Sequence, residues 1–208
     1  MMNEMLREKV KSMLVIEERD RKDVIIGAPH HTAGGVKNMP CPEHTDGDEN
    51  TGFIAFQIAE LLKASSIVAC NYRIDPNKTL TTDYASQIIK WKPKYLIEIH
   101  GHGARSIPDS SIDISSGSIE KNSLSKKFSS LLQSKFQNNE FLKNYKICGD
   151  FNFIHFKASK SATIIDNRWN SIHIELPPSI RLDRTNNLPV FVNDFNALLA
   201  ETIADICN

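Results

Sequence analysis

Short apolar runs alternate along the chain with longer stretches whose apolar residues recur at helical spacing. In residues 2–19, Met5, Val10, Met13 and Leu14 fall near one helical face, which predicts an N-terminal helix within residues 1–22. The uninterrupted run VIIGAP, 24–29, reads as a first buried strand. A Gly/Pro-rich stretch, 32–50, reads as a long loop, a type that is usually functional or disordered. TGFIAFQIAELLKA follows as a helix with Phe53, Ile54, Ile58, Leu61 and Leu62 turned inward.

The alternation continues to the end of the chain. SIVACNY is a second strand, 82–91 a helix, and KYLIEIHGHG a third strand ending in histidines and glycines. The Ser-rich stretch 106–125 reads as loop or edge structure with a short strand at 112–114. LSKKFSSLLQSKF predicts a helix, NFIHFK and SIHIEL predict strands, and PVFVNDFNALLAETIADIC predicts a closing helix with Pro189 near its start. The expected fold is α/β, a single domain built on a mixed sheet with helices on both faces, its core spanning 24–208. Ligands of such sheets gather at the carboxyl ends of the strands.

Composition narrows the function classes. A chain of 208 residues buries about 70% of its unfolded surface and needs no disulfide or structural metal to fold. Lys plus Arg and Asp plus Glu each number 25, so there is no basic excess of the kind nucleic-acid binders carry. Cys41, Cys70, Cys148 and Cys207 are scattered and form no CxxC pair, which argues for reduced thiols rather than a scaffold or a thiolate site. The N-terminus is charged throughout and lacks a signal-peptide core, and no run of ~18 apolar residues suggests a membrane span. A cytoplasmic protein is the expectation.

Three strand ends carry unusual residues. The first delivers His30 and His31, the third His100 and His102, and SIHIELPP delivers Glu175 ahead of a Pro-Pro turn. Alternation puts Glu98, His100 and His102 on one face of their strand, and His173 with Glu175 on one face of theirs. The acidic run Asp46, Asp48, Glu49 stands before the helix that starts near Thr51, where it serves as a cap or as a source of ligands. Two imidazoles and one carboxylate make a hydrolytic zinc site with an open position. Gly101 and Gly103 leave space beside it. Arg73 and Arg181 read either as clamps for an acidic substrate or as surface ion pairs. His44, His155 and His173 read as structural histidines. Cys41 as a nucleophile fails for want of a turn or oxyanion donors.

At APHHTAGG, DENTGFIAFQIAELL, YLIEIHGHG and IHIELPPSIRLD, in that order, the chain resembles the N-formylglutamate amidohydrolase family. It is also similar to the zinc carboxypeptidase-like amidohydrolases, including phage-type poly-γ-glutamate hydrolases. The resemblance implies a phosphorylase/hydrolase-like sheet and one zinc ion held by His, a carboxylate and His. The family histidine follows a proline, which points to His30. A ligand carboxylate three residues before the helix-starting threonine points to Asp48, with the adjacent Glu49 the contender by analogy with carboxypeptidases. The HG motif supplies His100, and the late IEL strand supplies Glu175 as general base. Two departures stand out: the loop between His30 and Asp48 is longer than in carboxypeptidases, and RIDPNK matches the family's arginine segment only loosely. The expected activity is zinc-dependent cleavage of an amide bond in an N-acyl (N-formyl-like) amino acid or γ-glutamyl substrate, a small acidic amide or peptide. The alternative is a catalytically silent metal- or peptide-binding protein on the same fold.

Overall fold

A computed structural model of the chain describes residues 13–207. Its strands are β1 (Met13–Glu17), β2 (Arg21–Thr32), β3 (Asn38–Cys41), β4 (His44–Asp46), β5 (Asp48–Glu49), β6 (Ala64–Cys70), β7 (Tyr95–Gly101), β8 (Ser111–Ser115), β9 (Lys146–Cys148) and β10 (Asn170–Leu176). Its helices are α1 (Thr51–Leu62), α2 (Asp83–Trp91), α3 (Asn122–Phe136), α4 (Ala162–Ile165), α5 (Pro178–Arg181) and α6 (Val192–Cys207). Among the described residues one eight-stranded mixed sheet forms in the order β1-β6-β2-β7-β10-β8-β9, with β5 added to β2, while β3 and β4 make a separate hairpin. The four central strands β6, β2, β7 and β10 are mutually parallel, so their carboxyl ends share one rim.

Strand parity sorts the side chains onto two faces. Val24, Ile26 and Ala28 of β2, Ile97 and Ile99 of β7, and Ile172 and Ile174 of β10 pack with α1, α3 and α6. Ile25 and Leu96 face the other way, against Tyr84, Ile88 and Trp91 of α2. On that second face Glu98 and His100 of β7 lie beside His173 and Glu175 of β10, which pair with them in register. Gly27 is required there, because a Cβ would lie 2.2 Å from the Tyr84 hydroxyl oxygen. No helix among the described residues is long and apolar enough to cross a membrane.

Four expectations are corrected. Residues 13–17 of the expected N-terminal helix form β1, an antiparallel edge strand on β6; residues 1–12 lie outside the described residues. MLVIE carries a β-branched pair, and backbone pairing with β6 outweighs its weak helical periodicity. NFIHFK forms turns instead of a strand, because its backbone is captured by side chains of β8. Phe53 and Leu61 point out of α1 (52% and 57% exposed), since Ile54, Ala55, Ile58 and Ala59 fill the narrow stripe that faces the sheet. The loop 32–50 is not featureless: it contains the β3–β4 hairpin and β5.

Candidate metal centre

β2 pairs with β7 only as far as Gly27 opposite Glu98. Pro29 follows, with no N–H to give to a ladder. The β2–β6 register shifts between Ala28 and His31, and beyond it His31 pairs with Cys70 on one side and with Asp48 of β5 on the other. β5 therefore occupies the fork that opens between β2 and β7. This local event sets the direction of both histidines. Unbroken alternation would send His30 to the α1 face with Val24, Ile26 and Ala28. The shift reverses parity, so His31 turns to α1, where Gly52 N–H donates to its Nδ1 (3.1 Å) and Phe53 packs edge-on at 5.2 Å between ring centroids. Burial then holds the His31 imidazole down at about 4. His30 turns to the open face.

There the rings of His30 and His100 come within 5.0 Å of each other, centroid to centroid. Nδ1 of His30 and Nδ1 of His100 each lie 3.5 Å from Asp48 Oδ2. That is long for a hydrogen bond between N and O. It is close to the ~3.3 Å that separates two ligands each ~2.0–2.1 Å from a tetrahedral zinc. His30 Nδ1 and Asp48 Oδ2 are buried and have no hydrogen-bond partner. The Nε2 atoms are occupied: His30 Nε2 meets Asp75 Oδ1 at 3.0 Å, and His100 Nε2 meets Glu98 Oε2 at 3.2 Å. A carboxylate on one ring nitrogen fixes the tautomer and leaves the other nitrogen for a metal. The donor set of two imidazoles and one carboxylate fits zinc.

Charge ties the cluster together. Burial would push both imidazoles down, but Asp48 with Asp75 raises His30, and Asp48 with Glu98 raises His100 to about 10. Burial would lift Asp48, and the two imidazoles hold it instead far below the usual carboxylate range. Glu98 is fully buried and receives four donors. Tyr84 Oη (3.1 Å) and Thr163 Oγ1 (2.7 Å) reach Oε1; Asn77 Nδ2 (3.0 Å) and His100 Nε2 reach Oε2.

The other expected residues divide. Glu175 closes the cluster on the β10 side, its Oε1 3.3 Å from His173 Nε2, and it lines both of the cavities that open at the site, of about 450 and 370 Å³. Glu49 points away from the imidazoles: its Oε1 accepts from Gly35 N–H at 2.9 Å, as alternation from Asp48 dictates. Arg181 is buried, not a surface ion pair. It donates to the carbonyls of Leu176, Glu49 and His102 while still lining the larger cavity. The space at Gly101 belongs to that guanidinium, since a Cβ there would lie 2.4 Å from Arg181 Cζ. Arg73 is exposed and lines neither cavity; Asp75, two residues on, is the group that reaches the cluster. His102 donates or accepts locally, Nε2 to Ser111 O and Nδ1 from Ala104 N–H.

Sequence reasoning missed three neighbours: Asp75 and the two histidines read as structural, His44 and His173. His44 stacks on His30 at 3.7 Å, and His173 lies 4.1 Å from the His100 ring. Their ligand atoms belong to two further close groups, His30–His44–Asp75 and His100–His173–Glu175, which overlap the central His30–Asp48–His100 group. Parity had already paired Glu98 with His100 and His173 with Glu175; the contacts of Asp75 and His44 depend on the loops and carry no local signal.

No protein-family model and no curated protein matches the chain. Solved structures do. A bacteriophage poly-γ-glutamate hydrolase superposes on 98% of this chain and 95% of its own length, with a TM-score of 0.62 at 14% identity. N-formylglutamate amidohydrolase from Ralstonia eutropha JMP134 covers 95% of this chain and 97% of its own, with a TM-score of 0.57 at 11% identity. The chain thus has the fold of these amide hydrolases over nearly its whole length, with a sequence that has little in common with theirs.

Proposed function

We propose that the protein is a zinc-dependent amidohydrolase acting on an N-acyl amino acid or a γ-glutamyl amide. The observation that carries the reading is the convergence of His30 Nδ1 and His100 Nδ1 on Asp48 Oδ2, with both Nε2 atoms held by carboxylates. His30, Asp48 and His100 would hold the zinc, which would supply a Lewis acid to activate water and polarise the scissile carbonyl. Glu175 takes the proton of the attacking water and delivers it to the leaving nitrogen, so a carboxylic acid and an amine result. Its place opposite His100 in the β7–β10 register holds it beside the ligands, and His173 fixes the direction of its carboxylate. Arg181, its guanidinium anchored by three carbonyls, presents positive charge to the substrate from the wall of the larger cavity.

A silent binding protein on the same fold is the second reading. A buried acid placed beside the three ligands and open to both cavities favours catalysis over it. The test is metal quantification after purification without chelators, followed by a screen of N-acyl amino acids and γ-glutamyl peptides for amine release. Glu175→Gln is expected to keep zinc while turnover falls ~100-fold or more. Turnover at the wild-type rate in that variant rejects the assigned base.

A further inference from the structure

The smaller cavity differs from the larger one in its balance of charge: three lysines against two carboxylates line it, whereas Lys37, Arg105 and Arg181 face four carboxylates on the larger. Its floor is the candidate centre itself, with His30, His100 and Glu175, and its mouth carries Lys78, Lys157 and Lys160. Asp75 and Glu175 are the carboxylates that line it; they face His30 and His173, and the Lys78 charge also acts on Asp75. None of the three lysines makes a salt bridge among the described residues; Lys157 Nζ lies over the Phe151 ring at 4.9 Å. On the larger cavity Arg105 pairs with Asp46 at 3.5 Å and Arg181 is anchored on carbonyls, which leaves Lys37 among Asp48, Glu49 and Glu175.

Lys157 and Lys160 sit on a built segment. Residues 155–161 are bound to β8, the strand that pairs Asp113 with Glu175 and Ser115 with His173. Asp113 Oδ2 accepts from the N–H groups of His155 (2.7 Å) and Phe156 (3.1 Å), and Ser115 Oγ donates to Lys157 O (2.6 Å). Ala162 N–H closes the far end on Asn77 O at 2.8 Å, one residue from Lys78. Between these ties Ala158 is held in the left-handed region at φ 50°, a conformation that a residue with a Cβ adopts only when its surroundings impose it. Three like charges gathered at one mouth repel one another, and an anion relieves that repulsion.

We propose that Lys78, Lys157 and Lys160 form a subsite for a carboxylate-bearing arm of the substrate, entering through the smaller cavity. The inference rests on the hydrolase reading above. It adds to Arg181 a second cationic contact with the substrate, made by Lys78 and the 155–161 loop.

The test uses the full chain loaded with zinc, and two probes of equal chain length, glutarate and valerate, titrated calorimetrically at low salt. The wild type is expected to bind glutarate at least ~10-fold more tightly than valerate, and added salt to shrink that preference. Lys78→Ala/Lys157→Ala/Lys160→Ala is expected to hold zinc with unchanged affinity and to bind the two acids within ~2-fold of each other; the triple Lys→Arg variant keeps the preference. Zinc binding with no preference in the wild type, or a preference that survives in the alanine variant, overturns the subsite alone. Absence of zinc binding overturns the hydrolase reading and the subsite with it.

Discussion

His100 and His30 hang from neighbouring parallel strands, each with Nε2 on a carboxylate and Nδ1 towards Asp48, yet their supports differ. Glu98, behind His100, is sealed in the protein and saturated by Tyr84, Thr163, Asn77 and the imidazole. Asp75, behind His30, is in a loop at the wall of the open cavity, and the imidazole is its one side-chain hydrogen-bond partner among the described residues. The same chemical device is thus sealed in the folded core on one arm and set in a buried cavity wall on the other. Removing Glu98 leaves four buried donors without their acceptor, whereas removing Asp75 leaves one imidazole nitrogen, which the cavity opens to water.

The comparison can be broken by single substitutions. Glu98→Ala strands three donors besides His100, so stability should fall by roughly 3 kcal/mol or more, together with a ~10–100-fold loss of zinc affinity. Chemical denaturation and chelator competition read the two effects. Asp75→Ala should weaken zinc by ~10-fold and leave the apoprotein within ~1 kcal/mol of wild type. Equal destabilisation by the two variants would erase the distinction between the arms. The smallest effect is on the far face of β2. His31 has its pKa held at about 4 by burial, against an ordinary 6.5, so the unfolded chain binds more protons between these values. Its contribution to stability is complete above about 6.5 and is lost as pH falls through about 4. The stability difference between wild type and His31→Gln should therefore shrink on acidification across that window, measured by denaturant melts.

The same contrast between regular strand and irregular loop decides what was legible in the sequence. Within β7 and β10 the two-residue period holds, and it alone places Glu98 with His100 and His173 with Glu175. The parallel strand ends, α1, α2 and α6 were likewise written in apolar periodicity. Parity failed at Ala28–His31, where a register shift reverses the direction of the two histidines, and periodicity cannot see a shift that depends on β5 entering the fork. It failed again at 13–17, whose apolar run suits a helix face and an edge strand equally. NFIHFK has strand-like composition, but Asp113, about forty positions earlier, captures its backbone. Asp75 and not Arg73 reaches the cluster, and position along the chain says nothing about which of the two folds inward.

The account's central claim is that one divalent ion binds between β2, β5 and β7. Zinc titration of the chelator-treated protein, followed by X-ray absorption at the zinc edge, tests it most directly. One zinc per chain with two imidazole nitrogens and carboxylate oxygen in its shell, lost in Asp48→Ala and kept in Glu49→Ala, is the predicted result. Stoichiometric binding that survives in Asp48→Ala, or no stoichiometric binding in the wild type, would contradict it.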